Sequence, residues 1–223
     1  MSEEPAENIA PDAAPAAFEP GTAGTRAGAV VDELGDLYWQ KTYGGSDAFE
    51  CLVRTILSQN TSDVASQPAH DALMERYGGD GDLAAALADA EQSRLAETIS
   101  SAGLYNQKSE VIVDAAARIR ETYGGAAAFD EFVREDDPDS VRTALLDIHG
   151  VGPKTADCVL LFAGGRDGVF PVDTHVHRIA RRLGVAPPDA DHEAVRARLE
   201  ADVPAEKCGF GHTAMIQFGR EYC

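Results

Sequence analysis

The sequence predicts an all-α protein, and two observations lead to this prediction. Apolar residues recur at helical spacing almost throughout the chain from about Gly28. The segment GVFPVD, at 168–173, is the only short stretch typical of a strand. In chain order, helices are expected in AVVDELGDLYWQKTYGG, in DAFECLVRTILSQNTSD, and at about 63–77, 82–88, 92–101, 106–123, 127–134, 139–147, 153–164, 173–183, 191–201 and 209–219.

Residues 1–26 are rich in Ala, Pro and Glu and have no periodic apolar face, so we expect a disordered tail. The 223 residues suffice for one large domain or two small ones. The chain has no run of 18 apolar residues and no secretory signal pattern. Its four cysteines are widely spaced, which fits a reducing compartment. We therefore expect a cytoplasmic protein that does not enter membranes.

The composition is strongly acidic, with 38 acidic and 19 basic residues and a formal net charge of −19. Two interpretations are open: an acidic module that binds basic partners, or a surface adapted to concentrated salt. The acidic residues are scattered over helical patterns and form no separate tail, which favours salt adaptation. Net charge bears on solubility and association, and it does not exclude a local basic groove.

The segment DSVRTALLDIHGVGPKTADCVLLFAG, at 139–164, predicts two helices joined by a short glycine-containing turn. Two glycines allow a close approach of backbone to an anion, and proline suits the first position of the following helix. A nucleic-acid phosphate fits this turn, whereas the simpler alternative is a structural αα-hairpin. The candidate phosphate contacts are His149, Gly150, Val151, Gly152 and Thr155.

Lys154 lies in the first turn of the second helix, where the helix dipole does not stabilise a cation. A lysine in that position is suited to act as a nucleophilic amine, although it also fits a simple phosphate contact. Asp173, in VFPVDTHVHRIARR, is expected to cap the next helix and is also a candidate catalytic carboxylate. Arg178 and Arg181 belong to the one concentrated basic patch, which fits either phosphate contacts or solvated surface charge.

Three further segments complete a recognisable pattern: DAFECLVRTILSQNTSD, ISSAGLYNQKSEVIVDAAARI and VPAEKCGFGHTAMIQFGREYC. Together with the hairpin and the VDTHVHR segment, they resemble the endonuclease III family of base-excision repair glycosylases over about 28–223. The resemblance implies two helical lobes with a DNA-binding cleft between them. One is a six-helix lobe of about 41–167 with a helix-hairpin-helix at 139–164, and the other combines 27–40 with 168–223.

The resemblance also implies a bifunctional DNA glycosylase and apurinic/apyrimidinic lyase that excises oxidised pyrimidines. Lys154 would form the Schiff base and Asp173 would assist proton transfer. Asn60, with Gln59 beside it, would enter the gap left by the flipped base, although both also fit a polar cap at a helix end. The implied partner is double-stranded DNA containing a damaged base or an abasic site. We expect a monomer that associates with the nucleoid when it acts.

Alternative functions remain open at this point. One is a uracil or thymine mismatch glycosylase on the same scaffold. Another is a non-catalytic helix-hairpin-helix protein, which would bind DNA regardless of Lys154 and Asp173. An acidic interaction module is a third, but it leaves the hairpin and the lysine–aspartate pair unexplained.

The chain departs from the family pattern at two places. His149 lies where the family usually has proline. Cys223 matches the first of four thiolates that hold the family's [4Fe–4S] cluster, and the other three are absent from this sequence. Cys51, Cys158 and Cys208 are expected to be small core residues instead. The chain is then either a truncated version of a longer, cluster-containing protein or a protein that lost the cluster, and the break within the motif favours truncation.

Overall fold

The computed structural model describes residues 17–38, 47–61 and 63–223, and these residues contain helices but no strand. The predicted all-α fold is therefore confirmed. None of the helices in the described part of the chain has both the length and the apolar character needed to cross a membrane. The α-helices are α1 (Arg26–Gly35), α2 (Ala48–Ser58), α3 (Asp63–Tyr77), α4 (Leu83–Ala88), α5 (Gln92–Thr98), α6 (Tyr105–Tyr123), α7 (Ala126–Glu135), α8 (Pro138–Leu146), α9 (Pro153–Phe162), α10 (Thr174–Arg182), α11 (His192–Asp202) and α12 (Cys208–Tyr222).

The predicted tail at 1–26 extends too far along the chain. Its first 16 residues lie outside the described part, but Phe18 packs on Phe210, with 4.4 Å between the ring centroids. Phe18 also covers Gly35, where any side chain would collide with its ring. One phenylalanine in an Ala- and Pro-rich stretch gives no periodic signal, so the sequence did not predict this contact.

The chain divides into two compact units, named here the central unit (Gly45–Gly165) and the terminal unit (Met1–Gly44 with Arg166–Cys223). The described residues of the central unit form eight α-helices, rather than the six expected for that lobe. The difference includes α4 and α5, which are only six and seven residues long; Asp82 caps α4, and no side chain caps α5. The described part of the terminal unit contains α1 and α10–α12.

Helix α2 is the apolar centre of the central unit. Phe49, Leu52, Val53 and Ile56 are completely buried on it, and α9 packs against it. The hairpin helices α8 and α9 are joined by an ion pair between Arg142 Nε and Asp157 Oδ1 at 2.7 Å. The Asp157 carboxylate is almost fully buried, so this pair links the two hairpin helices away from solvent.

The candidate strand at 168–173 does not form a strand in the structure. Its backbone is bonded in part by side chains of the terminal unit. The Phe170 N–H donates to Glu200 Oε1 at 3.1 Å, and the Pro171 carbonyl lies 2.8 Å from His212 Nδ1. These contacts attach the segment to α11 and α12 and lead directly into the start of α10.

Replacing Asp157 with Ala is expected to lower the free energy of unfolding by about 3 kcal/mol, because it removes the buried carboxylate that pairs with the Arg142 guanidinium. Urea-induced unfolding measures the change. Asp89→Ala is the matched control, since it removes an exposed Arg120–Asp89 pair of the same 2.7 Å length. That variant should lose less than about 1 kcal/mol. Equal losses in the two variants would contradict the structural role of the buried pair.

Candidate functional site

The hairpin turn between α8 and α9 is closely packed on α6. Gly150 has a φ of 77°, a conformation that disfavours any side chain. A Cβ added at Gly150 would lie 2.6 Å from Cγ2 of Val111. Val151, the next residue, is buried, and its N–H donates to the Ile148 carbonyl. The turn therefore requires glycine at position 150, and its packing against Val111 holds it on α6.

Gly152 has a different role from Gly150. It is the N-cap residue of α9 in an extended conformation, and no atom lies within 4 Å of the place where its Cβ would be. No side chain caps α9, and Pro153 occupies its first turn. The first-turn N–H groups of α9 are therefore not bound by a capping side chain, and the half-buried Lys154 lies in this turn.

The residues predicted to contact phosphate at the hairpin fall into two groups. His149, Gly150 and Gly152 are exposed or half-buried. Val151 and Thr155 are buried, with 6% and 3% of the residue exposed, and their contact with phosphate stays a prediction. The sequence pattern identified the turn correctly, but which residues of the turn point inward depends on the helices packed beneath it.

Gln59 connects the end of α2 to the hairpin. Its Nε2 donates to the Gly150 carbonyl at 3.3 Å and to Thr155 Oγ1 at 3.1 Å. Gln59 is therefore engaged within the central unit. Asn60, immediately after it, is exposed and has a φ of 51°, which is uncommon for a residue other than glycine. Of the two adjacent amides, Asn60 is the one presented to solvent.

Leu104 is a residue that the sequence analysis did not identify. It precedes α6, has a φ of 48°, and its side chain is 54% exposed. Asn60 and Leu104 are the two non-glycine residues with positive φ in the described part of the chain. Backbone strain of this kind costs about 1–3 kcal/mol and concentrates at functional sites. One sequence feature could have identified Leu104: it is an apolar residue at the start of a helix, where a capping Ser, Thr, Asp or Asn is usual.

Asp173 begins α10 in the terminal unit. Its Oδ1 accepts a hydrogen bond from the Val176 N–H at 2.8 Å, as an N-cap does, and the residue remains half-buried. His175 Nδ1 lies 2.9 Å from Arg178 Nη2 on the same helix. His177 is instead stacked on His192, with ring centroids 4.0 Å apart and planes within 6°. Burial, with a smaller contribution from His177, lowers the pKa of His192.

Arg178 and Arg181, the predicted phosphate contacts on α10, are both half-buried. The Nε atom of each is buried and has no hydrogen-bond partner within the described residues. Arg182, beside them, is exposed. Lys154 lies in the central unit, whereas Asp173 and this arginine group lie in the terminal unit.

The cysteines of the described chain do not fit a [4Fe–4S] cluster. Cys51, Cys158 and Cys208 are buried, and only Cys223 is exposed. Burial raises the pKa of the Cys51 thiol and that of the Cys208 thiol to about 12, whereas iron requires thiolates. No group of three or more His, Cys, Asp or Glu side chains suited to a metal ion occurs among the described residues. No step proposed below depends on a cluster.

Comparison with known proteins identifies the family. The model of the HhH-GPD superfamily of base excision DNA repair proteins matches residues 53–205. Endonuclease III of Thermotoga maritima is 35% identical over 181 residues, covering 80% of this chain and 76% of the relative. Endonuclease III of Bacillus subtilis is 31% identical over 196 residues, covering 86% and 82%. This chain belongs to the endonuclease III family of the HhH-GPD superfamily.

A solved structure agrees with this assignment. A trapped covalent complex of endonuclease III with DNA superposes with a TM-score of 0.72 at 29% identity, covering 86% of this chain and 84% of that one. The predicted resemblance is therefore confirmed, and the chain is a base excision repair glycosylase of the endonuclease III type.

Substituting the two hairpin glycines should give opposite results. Gly150→Ala is expected to lower the free energy of unfolding by at least about 2 kcal/mol, because it adds strain at positive φ and a collision with Val111. Gly152→Ala has a permitted φ and open space, so the loss should stay below about 1 kcal/mol. Urea unfolding of both variants provides the measurement. A Gly152→Ala variant as unstable as Gly150→Ala would contradict the described turn.

Proposed function

We propose that this protein is a bifunctional DNA glycosylase and apurinic/apyrimidinic lyase that removes oxidised pyrimidines from double-stranded DNA. The observation that carries the proposal is the position of Lys154 in the uncapped first turn of α9, directly behind the open Gly152. An uncapped helix start binds a phosphate through its N–H groups, and a lysine beside it reaches the sugar attached to that phosphate. In this proposal the protein acts on DNA as a monomer.

Lys154 supplies the nucleophile. A target base that is flipped out of the duplex exposes its sugar. The neutral Lys154 amine attacks C1′, the bond between C1′ and the base breaks, and the base leaves with the electron pair and takes up a proton. The amine gives one proton to the leaving base and the other to O4′ as the sugar C1′–O4′ bond breaks, which forms an imine between Nζ and C1′ and a hydroxyl group at C4′. Removal of a C2′ proton then expels the 3′ phosphate and cuts the strand.

Asp173 supplies the carboxylate. Its Oδ1 is occupied by the Val176 N–H, and this bond fixes the orientation of the group. A carboxylate held in this way stabilises the positive charge that develops on the sugar and relays the proton between amine and leaving base. The capping and catalytic roles are compatible because a carboxylate has four acceptor sites and the cap uses one of them.

Asn60 and Leu104 provide contacts with the opened duplex. Both side chains are exposed and both residues have a positive φ. An amide can hydrogen-bond to an unpaired base, and an apolar side chain can cover its face. Arg178, Arg181 and the hairpin residues His149, Gly150 and Gly152 would hold the phosphates on either side.

Lys154→Gln should abolish covalent trapping by borohydride on a duplex that carries an oxidised pyrimidine or an abasic site. The wild-type protein should form an adduct, since the imine is reduced to a stable amine. Binding to the same duplex, measured by fluorescence anisotropy, should stay within about threefold because the N–H contacts persist. An adduct that survives in Lys154→Gln would contradict the assignment. Duplexes with uracil or thymine opposite guanine test the mismatch-glycosylase alternative in the same assay.

Asp173→Asn should slow single-turnover base removal by at least about a hundredfold, the effect expected for a positioned acid–base group. Asparagine caps a helix as well as aspartate does, so the variant should unfold at nearly the wild-type temperature. Asp191→Asn is the matched control, because Asp191 caps α11 through the same 2.8 Å bond, to the Ala194 N–H. The control should retain full activity. Equal slowing in both variants would assign Asp173 a capping role only.

A further inference from the structure

We infer that Lys108 is a positioning residue for base removal: it holds Asn60 and Leu104 at fixed positions relative to each other. This inference rests on the function proposed above. Lys108 lies on α6, in the central unit, and touches neither the hairpin turn nor the N-terminal turn of α9 through any hydrogen bond described here. Its influence would therefore pass through the two segments that carry the exposed residues.

The Lys108 ammonium group makes three hydrogen bonds inside the central unit. Nζ donates to the Leu57 carbonyl at 2.7 Å, to Thr61 Oγ1 at 2.6 Å and to the Ala102 carbonyl at 2.9 Å. An ammonium group has three donors, so each one is used. The three acceptors come from two separate stretches of chain, 57–61 and 102, and the ammonium group joins them.

This arrangement is unusual for a lysine. The residue is only 4% exposed, and no carboxylate among the described residues forms an ion pair with it. Desolvation lowers the pKa of Lys108, as expected for a buried amine without an opposite charge. Burial of this kind is costly. The compensation is local, because Leu57 lies in the last turn of α2 and Ala102 ends the 3₁₀ helix Ser100–Ala102, and cations are favoured at helix C-termini.

Both bonded segments lead at once into a strained residue. Asn60 follows Leu57 by three positions and Leu104 follows Ala102 by two, and both have positive φ. The Thr61 hydroxyl, which accepts from Lys108, is itself hydrogen-bonded to the Ala102 carbonyl and to the Gln59 carbonyl. A strained backbone conformation persists only when surrounding contacts hold it in place. The hydrogen bonds of Lys108 and Thr61 hold both segments, and they thereby link the positions of Asn60 and Leu104.

The first test is amide hydrogen exchange of the free protein in Lys108→Met, a change that keeps the length and removes the charge. Exchange should accelerate at 58–61 and 102–105 and stay unchanged in α9. Unchanged exchange in both segments would overturn the inference. This measurement needs no substrate, so it tests whether Lys108 orders the two segments even if the wild-type protein forms no borohydride adduct. The absence of an adduct would contradict the proposed function, not the ordering role of Lys108.

The second test is a double-mutant cycle on single-turnover base removal. Lys108→Met should slow the reaction at least tenfold at saturating enzyme, while affinity for an undamaged duplex stays within about twofold. In an Asn60→Ala, Leu104→Ala background, adding Lys108→Met should cost less than about threefold, since the groups it positions are gone. A full tenfold loss in that background, or a wild-type rate in Lys108→Met alone, would overturn the inference.

Two further variants separate positioning from general destabilisation. Leu87→Ala removes a completely buried side chain of α4 in the same unit, and should lower stability without changing exchange at 58–61. Thr61→Val removes the bridging hydroxyl and leaves Lys108 in place. It should reproduce the activity loss in part, and it keeps the inference testable if Lys108→Met does not fold. A Thr61→Val enzyme with the wild-type rate, or a Leu87→Ala enzyme as slow as Lys108→Met, would count against the positioning role.

Discussion

The close contact between Gly150 and Val111 is the constraint on which the candidate site depends. Because no Cβ fits there, the chain reverses direction directly against α6, and the buried Val151 secures the turn from the inside. Gln59 then ties the end of α2 to the same turn. The start of α9, and with it Lys154, is consequently fixed by packing of the turn and not by a capping side chain.

The acidity of the chain is partly structural. Five helices, α2, α4, α8, α10 and α11, begin with an aspartate whose side chain accepts a hydrogen bond from a first-turn N–H: Asp47, Asp82, Asp137, Asp173 and Asp191. A carboxylate in that position also interacts favourably with the helix dipole. Asp173 thus makes the same capping hydrogen bond as four other aspartates of the protein. The uncapped α9 differs from these helices, since its free N–H groups remain available to an anionic ligand.

The described lysines have specific positions, and none of them is an exposed surface residue. Lys108 is buried, Lys154 is half-buried, and Lys207 forms a 2.6 Å ion pair with Asp32. Lys41 lies outside the described residues. In the proposed complex with DNA, phosphate contacts would therefore fall mainly to arginine and to backbone N–H groups. Adaptation of the acidic surface to concentrated salt stays a prediction, and it bears on function because contacts between phosphates and side-chain cations weaken steeply as salt rises.

The sequence by itself determined the helices, the glycine turn, the cap at Asp173 and the place of Lys154, since helical periodicity and turn chemistry act over a few residues. Only the tertiary structure decided which turn residues face inward, as the buried Thr155 shows. It also placed Phe18 on Phe210, and it joined Lys108 to the segments that precede Asn60 and Leu104. Exposure, backbone strain and the partners of a buried charge depend on residues distant along the chain, and local sequence patterns carry no information about them.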